Sequence, residues 1–180
     1  MKKLLNVLFA VFLLTSCGDA TDIAIKDELE YQADNFIINY PKLWQVVDGD
    51  DLKEAPKGSM VVFRTPEDQS GIFTNISIIQ EGVKSDINSL KYAKYNIEQG
   101  SFHLKDFQKI SEEEVEISGE KTIIFNFFGK RSINEKSLEF IQTYLVKNQK
   151  AYVITAIYAT DVNQAEKDKI KDIFKSFHFK

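Results

Sequence analysis

The sequence predicts an α+β fold, an α/β/α sandwich in which a central antiparallel sheet of about six strands is flanked by helices. Two observations carry this prediction. Several runs of residues alternate with a period of two and are rich in branched and aromatic side chains, which is typical of strands. Two other segments repeat their apolar residues at helical spacing. The strand-like runs are residues 36–40, 60–65, 73–80, 122–128, 138–147 and 151–159.

The strands in the second half of the chain have the strongest signals. Asn148 and Gln149 separate two long runs and predict a tight hairpin, which makes that pair of strands antiparallel. Residues 151–159 are apolar on both faces apart from Thr155, which predicts a central strand covered on both sides. Residues 114–117 alternate between acidic and apolar side chains and predict a further strand with one face in water.

The two helical segments lie between and after these strands. Ser85 is placed to cap a helix over residues 86–99, and Gly100 is placed to stop it. A second helix is predicted to begin at Asp161, because the apolar residues that follow recur at i, i+3, i+4 and i+7. These residues are Ile170, Ile173, Phe174 and Phe177.

Composition limits the classes of protein to which the chain can belong. It has 180 residues, of which 43% are hydrophobic and 28% charged, so it can bury a core of its own. A single cysteine excludes an intrachain disulfide framework and a multi-cysteine metal site. The formal net charge of −4 argues against nucleic acid as a partner, because such proteins normally carry a basic face.

The N-terminus has the pattern of a secretory signal. Lys2 and Lys3 precede an apolar run over residues 4–14, which is too short to remain as a membrane-spanning helix. The sequence Leu14-Thr15-Ser16-Cys17 that follows resembles the lipobox of bacterial lipoproteins. This resemblance implies cleavage before Cys17, lipid attachment to its thiol and acylation of the new N-terminus. The predicted organisation is a signal peptide at 1–16, a lipid-anchored polar tether at 17–34 and a globular domain at 35–180.

The residues after Cys17 bear on where such a lipoprotein resides. In enterobacterial lipoproteins an aspartate after the cysteine retains the protein in the inner membrane, and here Gly18 occupies that position. The resemblance therefore favours the periplasmic face of the outer membrane in the cell envelope. Asp19 and Asp22 are similar to the acidic surface-export signals of Bacteroidetes lipoproteins, which keeps surface exposure as an alternative.

Two parts of the predicted domain resemble PsbP-like domains. Residues 35–44, with Phe36, Tyr40, Pro41 and Trp44, are similar to the opening F-x-x-x-Y-P-x-x-W strand and turn of that family. The closing hairpin over 144–159 and the terminal Ser176-Phe177-His178-Phe179 resemble its C-terminal half. The resemblance implies an α/β/α sandwich around an antiparallel sheet. Known members include an extrinsic photosystem II subunit, a Ran-binding import factor, bacterial lipoproteins and adaptor chaperones, which implies non-enzymatic protein binding.

Catalytic signals are weak. His103 and His178 lie in different contexts, His178 between two phenylalanines in a predicted last short strand. No nucleophile elbow, zinc-protease helix or phosphate-binding loop is present. Asp48-Gly49-Asp50-Asp51 lacks the spacing of a calcium loop, and a turn is the preferred interpretation. We therefore predict no catalytic residue, no cofactor and no metal site, and one modification site, the lipid attachment at Cys17.

These observations favour a non-enzymatic protein-binding or scaffolding module, tethered to a membrane by its N-terminal lipid and bound to another envelope protein. The alternative is a carrier or sensor that binds a small apolar ligand or lipid in a pocket between sheet and helices. A hydrolase with an unrecognised acidic site is a third hypothesis. A scaffold should expose an apolar patch, a carrier should enclose an apolar cavity, and an enzyme should bring carboxylates and a histidine together.

Overall fold

A large antiparallel sheet organises the chain. The computed structural model describes residues 27–52, 55–66, 74–84, 87–100, 104–159 and 162–180. The predicted signal peptide, Cys17 and His103 lie outside these residues. The elements in chain order are β1 (Glu28–Gln32), β2 (Phe36–Pro41), β3 (Gln45–Asp48), a 3₁₀ helix (Gly49–Leu52), β4 (Ser59–Arg64), β5 (Asn75–Gly82), α1 (Ser89–Gly100), β6 (Lys105–Ile117), β7 (Glu120–Lys130), β8 (Leu138–Lys147), β9 (Lys150–Ala159), α2 (Gln164–Lys175) and β10 (His178–Phe179).

Seven strands form the large sheet in the order β3-β4-β5-β9-β8-β7-β6, and every neighbouring pair is antiparallel. Of the other described strands, β1, β2 and β10 form a small sheet in the order β1-β2-β10. The predicted α+β class and antiparallel sheet are confirmed, with seven strands in place of about six. The sequence patterns missed β3 because it has only four residues, none of them buried.

The two faces of the large sheet support separate cores, and successive residues of β8 show the division. Ile141 and Leu145 belong to a core beneath α2 and the small sheet, here called the α2 core. Phe140 and Tyr144 point the other way, into a core beneath α1, here called the α1 core. The helices therefore lie on opposite faces of the sheet, as the predicted sandwich requires.

Strand β1 corrects the predicted boundary between tether and domain. The sequence assigned residues 17–34 to a polar tether, whereas Glu28–Gln32 pairs with β2 along its whole length. Only Tyr31 of the five residues is even partly buried, and its ring lies edge-on to Phe63 in the α2 core. An exposed strand of this kind has a polar composition, so its alternation was too weak to distinguish it from a linker.

Both helices begin later than predicted, because asparagines rather than the expected residues cap them. The Oδ1 atom of Asn88 accepts a hydrogen bond from the backbone N–H of Lys91 at 2.9 Å, where Ser85 was expected to cap. The Oδ1 atom of Asn163 accepts from the backbone N–H of Glu166 at 3.1 Å, two residues after Asp161. Asn and Ser are equally good N-caps, so composition alone could not choose between them.

The prediction for the central strand is half right. Strand β9 is the middle strand of the seven, and on the α2 side its residues Tyr152, Ile154, Ala156 and Tyr158 are fully or almost fully buried. On the α1 side, Val153, Thr155 and Ile157 are only partly buried. The strand is therefore covered completely on the α2 side and only in part on the α1 side, where Val153 and Ile157 pack against the α1 core.

Two reverse turns show where backbone geometry restricts the sequence. Asn148 and Gln149 have φ angles of 50° and 60°, which confirms the predicted tight hairpin between β8 and β9. Gly58 has a φ angle of 88°, and the backbone N–H of Gln80 donates to its carbonyl oxygen at 2.8 Å. A Cβ atom at Gly58 would clash with the carbonyl oxygen of Gln80.

We expect Gly58→Ala to lower the free energy of unfolding by about 3 kcal/mol, because the added methyl group meets backbone as well as a left-handed φ. Gly49→Ala is the matched control: Gly49 has a φ angle of 51°, but its Cβ position is open, so the cost should be about 1 kcal/mol. Chemical denaturation measures both. Equal losses of unfolding free energy in the two variants would contradict the close approach of Gly58 to β5.

Candidate functional site: a sheet face left open beside helix α1

Helix α1 covers only part of its face of the sheet. It packs on β7 and β8, where Tyr92 and Ala93 join Phe125, Phe127 and Phe140 in the α1 core. A helix is about 10 Å wide and strands lie about 4.8 Å apart, so one helix covers about two strands. Of the described helices, α1 is the one on this face, and strands β9, β5, β4 and β3 extend beyond it.

No described helix covers these strands, and they present a set of seven partly buried side chains that we call the open sheet face. Its members share one surface of four neighbouring strands and are uncharged. They are Val47, Val62, Ser77, Ile79, Val153, Thr155 and Ile157.

Strand register aligns these residues across the sheet. Val47, Val62, Ser77 and Thr155 are successive partners across β3, β4, β5 and β9. Ile79 pairs with Val153 in the neighbouring row. The aliphatic members therefore form a continuous surface around two hydroxyl groups, held by backbone hydrogen bonds on both sides of β4, β5 and β9. Such a surface is rigid before any partner binds.

A chain of side-chain hydrogen bonds lies where the open sheet face adjoins the α1 core, on which Val153 and Ile157 also pack. The Tyr144 hydroxyl donates to Oε1 of Gln142 at 2.5 Å, and Nε2 of Gln142 donates to Oγ1 of Thr155 at 2.8 Å. Burial raises the pKa of Tyr144, and the neighbouring Tyr92 and Glu81 raise it further. The Tyr144 hydroxyl therefore stays protonated and donates a hydrogen bond at neutral pH. As a result, the polar groups at the centre of the surface are hydrogen-bonded to one another.

The far margin of the surface is also polar. Nε of Arg64 donates to Oε1 of Gln45 at 3.1 Å, and both residues lie in the row beyond Val62. On the opposite margin, the Tyr92 hydroxyl donates to a Glu81 carboxylate oxygen. A centre without charged residues, with charged side chains at its margin, is the arrangement found at protein–protein interfaces, whose centres are depleted of charged residues.

Two cavities bear on the predicted carrier function. One, of about 170 Å³, lies between α2 and the β2–β3 turn and is lined in part by Trp44, Ile170 and Ile173. Pockets for drug-sized ligands have volumes of about 300–1,000 Å³, so this cavity has room for little more than one side chain. The other, of about 400 Å³, is lined mainly by polar residues, including Lys84, Glu120 and Lys147. Neither is a large apolar pocket beneath the sheet.

The buried charges of the described residues lie on the opposite face, beneath α2. Glu139 of β8 is 1% exposed, and one of its carboxylate oxygens lies 2.7 Å from Nζ of Lys167. Nδ2 of Asn126 donates to the other at 2.9 Å. Burial and the nearby Glu139 raise the pKa of the Tyr158 hydroxyl. This cluster joins α2 to the sheet, because the amine and the carboxylate come from the two elements that it links.

His178, the histidine within the described residues, does not lie beside these carboxylates. His178 lies exposed in β10, as predicted, and its Nδ1 atom is 2.6 Å from the carbonyl oxygen of Ser176. Asp48, Asp50 and Asp51 lie at the end of β3 and in the 3₁₀ helix, where Asp48 accepts a hydrogen bond from the Tyr31 hydroxyl at 2.9 Å. Within the described ranges, no group of three histidine, cysteine or acidic side chains is placed to hold a metal ion.

Sequence reasoning missed the open sheet face. Its aliphatic residues lie in runs that were interpreted as core strands, and periodicity does not report which faces are covered. Cys17, the one predicted modification site, lies outside the described residues. Among the described helices, none has the length and apolar character needed to cross a bilayer.

Because the two faces of β9 differ in exposure, we expect the same substitution to lower the free energy of unfolding by different amounts on the two faces. Ile154→Thr places a hydroxyl in the α2 core, where Ile154 has no exposed surface, and should lower the free energy of unfolding by about 3 kcal/mol. Ile157→Thr, the same change on the open sheet face, should cost about 1 kcal/mol or less. Urea denaturation of both variants tests this. A loss at Ile157 as large as that at Ile154 would mean that the face is covered.

Comparison with known proteins identifies the fold. No protein-family model and no curated protein matches the chain. The solution structure of cyanobacterial PsbP (CyanoP) from Synechocystis sp. PCC 6803 is similar, with 21% identity, a TM-score of 0.60 and coverage of 93% of this chain and 99% of that one.

Two crystal structures are similar at lower identity. The Saccharomyces cerevisiae Ran-binding protein Mog1p has 14% identity, a TM-score of 0.54 and coverage of 84% of this chain and 94% of its own. The Pseudomonas aeruginosa protein of unknown function PA94 has 13% identity, a TM-score of 0.57 and coverage of 83% and 94%. Likeness at these identities shows a shared fold alone. The resemblance to PsbP-like domains is thus confirmed as one of architecture: the chain has the sandwich fold of PsbP and Mog1p.

Proposed function

We propose that the protein is a lipid-anchored, non-enzymatic binding module that docks a partner protein of the cell envelope on its open sheet face. The single observation that carries this proposal is the half of the large sheet over which no described helix lies. Five aliphatic side chains, those of Val47, Val62, Ile79, Val153 and Ile157, lie on it partly exposed, and their backbones are held in a sheet.

Physical reasons favour a protein as the occupant of this surface. Burying a valine or isoleucine side chain contributes about 1.5–3 kcal/mol relative to full exposure, so completing the burial of five side chains contributes a useful part of a binding energy. A preformed sheet loses little conformational freedom when it docks. The surface is broad, since it extends across four neighbouring strands, which suits a complementary protein face better than a small ligand.

The other hypotheses have less support. A cavity of about 170 Å³ is small for a carrier of lipids. An enzyme needs an acid, a base or a nucleophile in a shared cleft, and Glu139, the buried carboxylate among the described residues, is in an ion pair with Lys167. Mog1p, one of the similar structures, is a Ran-binding protein; protein binding by this fold therefore has a precedent, although fold alone does not establish function.

The anchor determines where such a partner is met. Cys17 is the acceptor of the lipid in the proposed mature protein, which resides on the periplasmic face of the outer membrane, with display at the cell surface as the other outcome. Attachment to the membrane confines the domain to a thin layer. It therefore raises the effective concentration of a partner in that layer, even when the docking surface is modest.

The experiment that tests this function is position-specific photocrosslinking in native membranes with the full-length chain. A photoreactive residue at Thr155, in the centre of the open sheet face, should form one discrete adduct. The same residue at Lys175, exposed on α2 across the sheet, should not. Capture that is equal at both positions, or absent at Thr155, would contradict the proposal.

A charged substitution provides the matched test of that adduct. Val62→Lys places an ammonium group in the apolar row and should reduce the Thr155 adduct about tenfold or more, because an unpaired charge at an interface costs several kcal/mol. Ile110→Lys, at an exposed position of β6 on the opposite edge of the large sheet (43% exposed), should leave the adduct unchanged. Circular dichroism confirms that both variants retain the fold.

A further inference from the structure

The β2–β3 turn carries the most exposed large hydrophobic side chain of the described residues. Leu43 is 79% exposed, whereas the residues on either side of it are held in place. The backbone N–H of Trp44 donates to the carbonyl oxygen of Pro41 at 2.9 Å, and Trp44 packs against the α2 core. The tight turn therefore projects Leu43 away from the domain, where it contributes nothing to the core.

The folded domain begins beside the same turn. The backbone N–H of Lys42 donates to the carbonyl oxygen of Asp27 at 2.7 Å, and Asp27 immediately precedes β1. The ten residue steps from Cys17 to Asp27 can span at most about 35 Å. A lipid on Cys17 would therefore keep the β2–β3 turn within about 35 Å of the bilayer.

A second exposed hydrophobic residue lies at the same end of the large sheet. Ile133, in the connection between β7 and β8, is 77% exposed. A row of paired residues across the sheet shows that both connections lie at this end. The first residue of the row directly follows the β2–β3 turn, and the last lies near the start of β8. The row is Gln45, Arg64, Asn75, Ile157 and Phe140. From the strand spacing, the two connections are about 20 Å apart.

We propose that this end of the domain lies on the bilayer that holds the lipid anchor, with Leu43 and Ile133 inserted among the lipid headgroups. The contact rests on the anchoring of Cys17 proposed above. A leucine or isoleucine at this depth gains apolar burial. Lys42 can extend its ammonium group back to the headgroups, and tryptophan is favoured at the membrane interface.

Most charged side chains near this end of the domain are paired with opposite charges. We therefore expect the membrane contact to depend on apolar burial rather than on attraction to charged lipids. Of the basic residues near Ile133, Arg131 lies 3.1 Å from Glu135 and Lys130 lies 2.5 Å from Asp106, so Lys136 leaves an excess of one positive charge at this connection. Asp27 and Glu28 lie near Lys42, so the turn has no excess of positive charge. The contact should therefore be as strong on uncharged phosphatidylcholine as on anionic lipid.

This orientation also gives the open sheet face a direction. With the strand ends on the bilayer, the strands stand away from the membrane and the open sheet face points sideways along it. A partner that docks there must lie at the same membrane surface. The lipid, the two hydrophobic residues and the partner would then restrict the domain to a single orientation.

Trp44 reports on the contact directly, because it is the single tryptophan of the chain and adjoins Leu43. The full-length protein, expressed so that the envelope can process it, is reconstituted in phosphatidylcholine vesicles with and without bromine on the acyl chains. We expect bromine to lower Trp44 emission about twofold, since interfacial side chains reach about 5–10 Å into the headgroup and acyl boundary. Equal emission in both kinds of vesicle would overturn the inference.

Matched serine variants locate the contact. Leu43→Ser should abolish most of the quenching, and Ile133→Ser should reduce it. Tyr95→Ser, at an exposed position of α1 (58% exposed), should leave it unchanged. The mass of the mature chain separates the two proposals: a lipidated protein without quenching overturns this contact alone, whereas a chain without lipid on Cys17 overturns the anchoring and the contact together.

Discussion

A helix is about as wide as two strands, and this ratio governs the architecture of the domain. A sheet of seven strands needs more than one helix on each face to bury its apolar side chains. The α2 side meets this need by combining a helix with the small sheet, whose strand β2 contributes Phe36 and Ile38 to the core. The α1 side has one described helix, so its cover ends near β9.

The side chains at that limit form a defined boundary between the covered and the open parts of this sheet face. Gln142 and Thr155 form a hydrogen-bonded pair at the point where the α1 core gives way to the open sheet face, and the Tyr144 hydroxyl completes the chain. Beyond it the partly buried side chains of the open sheet face are uncharged, and five of the seven are aliphatic. A surface that had only to remain in water would be expected to carry charged groups, such as the glutamates of β6 at the other edge of the sheet, Glu112 and Glu114.

The sequence predicts most of the sandwich but little of the candidate site, and the reason is physical. Alternation along a strand reports which residues avoid water locally, so β8 and β9 could be located closely. It does not report which helix lies above them, because that depends on packing between distant segments. Residues 151–159 are apolar on both faces, yet Val153 and Ile157 remain partly exposed. For the same reason, the exposed strand β1 was assigned to the tether.

The central claim is that the open sheet face is free in the isolated protein and covered in the envelope. Cysteine accessibility tests it, because Cys17 is the chain's single cysteine and is blocked by lipid in the proposed mature form. Thr155→Cys should react readily with a polar maleimide in purified protein and be protected in intact outer membranes, while Lys175→Cys reacts equally in both. Equal reactivity of Thr155→Cys in both settings would contradict the account.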